Sequence, residues 1–160
     1  MMLPMQSVHP LFVHFPIGLL IASFVFECLA WGSKIETWRV TARWCLVAGT
    51  LGAAAAVLSG LRAEAVAKHS FEIHQVMEQH KQFGIAVLAG SLLLSVYGLL
   101  DLRRPIPFPR AAYVTILFLV VATLSLGAHL GGRLVYEFGV GGSFGRQELS
   151  LPEGGGIDDQ

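Results

Sequence analysis

The run Leu11 to Trp31, LFVHFPIGLLIASFVFECLAW, decides how the rest of the chain is read. It is apolar almost throughout, carries no Lys or Arg, and holds one acid, Glu27, near its far end. About 20 such residues, rising 1.5 Å each, cross the roughly 30 Å hydrocarbon core of a bilayer. Three more runs have the same character: Trp44 to Leu61, Phe83 to Leu100 and Ala111 to Leu130, again without Lys or Arg. Hydrophobic residues make up 54% of the chain and charged residues 14%. Mean hydropathy is +0.62. A soluble domain has about 25% charged residues, so the solvent expected here is the lipid bilayer. Net charge is zero and no basic block occurs, which argues against a nucleic-acid partner.

These runs predict an all-α fold, a four-helix transmembrane bundle with helices at about 11–31, 38–68, 71–101 and 109–136. Residues 1–140 form one membrane domain, and 141–160 read as a flexible Gly-rich acidic tail. The connections Gly32 to Arg43 and Asp101 to Arg110 are short, which implies antiparallel neighbours in an up-down-up-down bundle. The longer stretch from Arg62 to Gln82 has Ser70 as a helix N-cap, with Glu72 in the first turn. Both termini then share one side. The opposite side packs Lys34, Arg39, Arg43, Arg103, Arg104 and Arg110 into its two short loops, against Glu36 and Asp101. Basic residues in short loops mark the cytoplasm, so both termini are expected to be extracytoplasmic. No Lys or Arg precedes the first run, so no cleavable signal peptide is expected.

The histidines gather on the terminal side. His9 and His14 open the first helix, His69 follows the second, His74 and His80 precede the apolar part of the third, and His129 closes the fourth. By depth, His14, His80 and His129 share a level near the interface, with His9, His69 and His74 further out. Gly18, Ser59, Gly60, Gly84, Gly127, Gly131 and Gly132 lie in the same half, where small residues permit close helix approach or leave room for a flat cofactor.

Imidazole ligates metals and exchanges protons near neutral pH. The leading expectation is haem b held by two of His14, His80, His129 and His9, with electron transfer as the activity. The alternatives are a copper, zinc or iron site built on His14, His80 and His129, with His69 and His74 as outer candidates, or an interfacial polar network in a subunit without cofactor. No HExxH, phosphate-binding loop or GxSxG turn is present, so hydrolytic or nucleotide enzymology is not expected. Cys28 and Cys45 form no CxxC and read as small apolar fillers. Glu27 is expected to snorkel, or to pair with Arg39 or Arg43, rather than to relay protons.

The opening HPLFVHFPIGLL, the SG after the second run, the HKQFG that starts the third and the closing GAHLGGRLVYEFG occur in this order. In that arrangement the chain resembles the bacterial predicted membrane proteins grouped as domain of unknown function 2231, over roughly Val8 to Val140. The resemblance implies four transmembrane helices in a bacterial inner membrane, with His9, His14, His80 and His129 at the family's histidine positions. It implies no activity, but relatives resemble redox-associated proteins. A periplasmic redox protein or a second copy of the chain is the protein partner that follows.

Overall fold

The computed structural model describes residues 9–64 and 71–140, which contain four helices and no strand. They are α1 (His9–Ser33), α2 (Glu36–Glu64), α3 (Phe71–Arg103) and α4 (Arg110–Tyr136). His69, Ser70 and the tail 141–160 lie outside the described residues. Each helix contains a stretch long and apolar enough to cross a membrane. In hydrocarbon a spanning segment must satisfy its own backbone, which a helix does and an open strand cannot.

Apolar side chains cover the outside as well as the inside. Leu51, Leu58, Leu93, Val96, Phe118 and Leu119 are all exposed. The core is narrow, built on Leu20, Leu46, Val87, Leu94, Tyr113, Leu117 and Val120. A helix that is apolar all round has lipid on the face that does not pack.

The helices pack as α1 on α2, α2 on α3 and α3 on α4, with a smaller contact closing α4 onto α1. The α1–α2 seam is tight because Gly49 and Gly52 face Leu20 and Pro16. A Cβ on Gly49 would lie 2.9 Å from Leu20 Cγ and 3.2 Å from the Leu20 backbone nitrogen. Hydroxyls add cross-links: Ser23 Oγ donates to the Ala42 carbonyl at 2.9 Å, and Thr50 Oγ1 meets Ser95 Oγ at 2.9 Å. Such bonds average about 0.6 kcal/mol each in membrane bundles, so they orient helices more than they hold them together.

α1 and α2 are joined by two residues. Lys34 takes a left-handed φ of 58°, and the Ile35 backbone N–H is accepted by Ser33 Oγ at 3.3 Å. α4 ends at Tyr136, and three residues on Gly139, with a φ of 65°, turns the chain while its N–H reaches the Val135 carbonyl at 3.2 Å. All three tryptophans lie around the α1–α2 connection. Trp31 and Trp44 are exposed, and Trp38 stacks on Phe26 with ring centroids 5.4 Å apart. Indoles favour the headgroup level, where one edge is wet.

Candidate functional site

The predicted histidines separate into two kinds. His14, His74 and His129 are exposed. His80 is half-buried in the α3–α4 seam, where its Nδ1–H donates to the Gly127 carbonyl at 2.8 Å. That acceptor fixes the tautomer, placing the lone pair of the neutral ring on Nε2. A Cβ on Gly131 would lie 3.0 Å from His80 Cε1, and one on Gly127 would lie 3.1 Å from Phe83 Cβ. These two glycines therefore accommodate side chains of α3. Gly18 and Gly132, by contrast, face open space. His9 is the first residue of α1. Among the described residues, no three His, Cys, Asp or Glu side chains come together to hold a metal ion.

The seam carries a prediction. Gly131→Leu is expected to displace the His80 ring and to lower bundle stability by about 1–3 kcal/mol, the usual range for overpacking. His80→Phe keeps the ring volume and should cost under about 1 kcal/mol. Unfolding titrations in detergent compare the two. Equal losses would show that the ring is not wedged against Gly131.

The other end of the bundle holds a site that the sequence reading did not assemble. Glu27 is fully buried and does not snorkel. Arg43 Nη1 lies 3.7 Å from its Oε2, and Arg110 Nε lies 3.3 Å from its Oε1. Arg43 also reaches Asp101 Oδ2, at 3.7 Å. Arg39, one of the two partners expected for Glu27, instead spans Glu36 at 2.6 Å and Asp101 at 3.1 Å. Asp101 further accepts the Ile106 backbone N–H at 3.3 Å, tying the α3–α4 loop to the cluster.

Local structure explains why Arg43 can be buried. Gly98 opens a slot for its stem, since a Cβ there would lie 2.7 Å from Arg43 Cδ. Its guanidinium carbon sits 3.7 Å over the Tyr113 ring centroid and 5.8 Å from that of Tyr97. A desolvated cation over an aromatic face gains about 2 kcal/mol, which offsets part of its burial cost. Both Glu27 oxygens, Arg43 Nε and Nη1, and Arg110 Nε and Nη2 are buried without a hydrogen-bond partner. Charge across 3.3–3.7 Å holds this cluster more than hydrogen-bond geometry does.

One signal in the sequence pointed here. An acid inside an apolar run requires a buried partner, and arginines stood at the starts of the second and fourth runs. Arg43 is an expected partner of Glu27, as found, whereas Arg110 reads only as a loop charge setting orientation.

Comparison with known proteins returned one family. Residues 5–143 match the family described as predicted membrane protein, DUF2231. No curated protein and no solved structure matches the chain. With nearly the whole membrane domain matched, and four helices suited to span a bilayer, the chain belongs to the DUF2231 family of predicted membrane proteins.

Proposed function

We propose that this protein is a haem b-binding electron-transfer protein of the bacterial inner membrane, in which His14 of α1 and His129 of α4 would hold the haem. The observation that carries the reading is the placement of these two imidazoles. Both are exposed, on the two helices that share the smallest interface in the ring. Phe24 packs on Phe118 with centroids 5.7 Å apart, and that antiparallel register, continued toward the start of α1, runs to the turn of α4 holding Gly127 and His129. A two-ligand haem needs no third protein group, so the lack of a three-residue cluster among the described residues weighs on a non-haem metal and not on haem. The role of His80 in this reading is to hold that turn of α4 through the Gly127 carbonyl. Bound haem would supply one-electron chemistry; the protein's part is ligation and orientation.

The cross-helix contacts support the up-down-up-down arrangement. Gly49 meets Leu20 and Gly52 meets Pro16, Gly98 meets Arg43 and Gly84 meets Val57, and Gly90 meets Val120 and Gly131 meets His80, so at each seam a step toward the start of one helix is a step toward the end of its neighbour. Both termini then lie on the histidine side, and the basic short loops favour the cytoplasm for the other. The electron partner is a periplasmic redox protein.

A visible spectrum tests the reading. Protein expressed with ample haem is expected to show a Soret band, lost in His14→Ala and His129→Ala and retained in His80→Ala. A wild-type protein with no Soret band would end the haem reading.

A further inference from the structure

We propose that Glu27 exchanges its ion pair with Arg110 for a proton, making this contact a pH-sensitive latch between α1 and α4 at the short-loop end. The inference rests on the ionic cluster and is independent of the histidines.

The two cations beside Glu27 are not equivalent. Arg43 is fixed: its side chain is 4% exposed, stacked on Tyr113, seated against Gly98 and facing a second carboxylate, Asp101. Arg110 is the first residue of α4, follows the Pro-rich loop 104–109, and keeps 36% of its side chain in contact with solvent. A long arginine at a helix end can swing to water while its stem stays on apolar surface. Arg110 is therefore the partner that can leave.

Charge balance allows two states. With Glu27 ionised, Arg110 compensates it, Arg43 faces Asp101, and Arg39 pairs with Glu36 and Asp101. When a proton from water on the short-loop side adds to the Glu27 carboxylate, Arg110 turns outward and the remaining pairs stay intact. Neither state leaves an uncompensated buried charge, the condition that makes most buried pairs unable to switch. Glu27 rather than Asp101 takes the proton in this latch, because neither Glu27 oxygen is hydrogen-bonded, whereas Asp101 accepts from Arg39 at 3.1 Å and from the Ile106 N–H at 3.3 Å. The groups facing Glu27 are thus Arg39 and Arg43 from α2, Asp101 and Tyr97 from α3, and Arg110 and Tyr113 from α4.

The consequence is mechanical. The α1–α4 interface is the smallest of the four that close the ring, and Glu27–Arg110 is one of its contacts, with Phe24–Phe118 another. Releasing Arg110 frees the start of α4 to move from α1.

Two measurements on the full chain in nanodiscs test this. Infrared difference spectra between pH 8 and pH 5 are expected to show a buried protonated-carboxyl C=O band in the wild type and in Asp101→Asn, absent in Glu27→Gln. Spin labels on native Cys28 and on Ala111→Cys, with Cys45→Ser, should report a longer distance at pH 5, and Glu27→Gln should show that distance at both values. If Glu27→Gln does not fold, Arg110→Gln serves: with the mobile cation gone, the longer distance should appear at both pH values. A wild type without the band, a band that survives Glu27→Gln, or a distance unmoved by pH would overturn the latch.

Discussion

Arg43→Met is expected to lower the stability of the bundle by about 3–5 kcal/mol, the range for removing one partner from a buried ionic cluster. The side chain is 4% exposed and lies between two carboxylates, Glu27 and Asp101, at 3.7 Å from each. Removing it leaves those two acids with Arg39 and Arg110, and Arg39 is already shared with Glu36. It also removes the cation over Tyr113. Methionine fills the slot beside Gly98 without strain, so the loss reads as charge rather than volume. Arg39→Met is the control. That side chain is 30% exposed and its main partner is exposed Glu36, so the expected cost is about 0–1 kcal/mol. Unfolding of both variants in mixed micelles decides the point. Equal, small losses would mean that water reaches the cluster and screens it.

Gly49→Val should cost about 1–3 kcal/mol or more, through a different route. A Cβ alone would stand 2.9 Å from Leu20 Cγ, and Leu20 is fully buried with no room to turn aside. The second obstacle is the Leu20 backbone nitrogen at 3.2 Å, which moves only if α1 moves. α1 would then withdraw from α2, loosening the neighbouring approach of Pro16 to Gly52. Gly18→Ala is the matched control, since nothing lies within 4 Å of a Cβ there. Combining Gly49→Val with Leu20→Ala should recover part of the loss, and the recovered part measures the clash. Purely additive effects would show that the two residues do not press on each other.

The four spans were legible because length and the absence of Lys and Arg from an apolar run are properties of the linear chain. The expected helix at 38–68 begins at Glu36 in the structure, a difference at the start, where local composition decides least, and its expected end lies outside the described residues. Which way each side chain points was not legible. A soluble helix declares its buried face by the spacing of its apolar residues; a helix flanked by lipid is apolar on every face and loses that mark. So the sequence does not tell that His80 turns into the α3–α4 seam while His14 and His129 stay exposed. The same blindness hid the ionic cluster beyond its expected Glu27–Arg43 pair. Arg43 and Arg110 stand at helix starts, where an arginine ordinarily reaches for water, and only the slot at Gly98 and the ring of Tyr113 reveal that Arg43 goes inward. The small residues divided likewise: Gly127 and Gly131 receive Phe83 and His80, whereas Gly18 and Gly132 face no neighbour.

The position of the three indoles makes the protein its own depth gauge. Trp31, Trp38 and Trp44 are the whole tryptophan complement, and all flank the α1–α2 connection. Emission excited at the tryptophans alone, apart from the tyrosines, therefore reports that end only. Brominated lipids carrying the quencher at graded depths would locate the connection within the bilayer without any label. A chromophore bound at His14 would sit about 25 Å from Trp31 by helix rise along α1, so its energy transfer from the indoles would measure that separation.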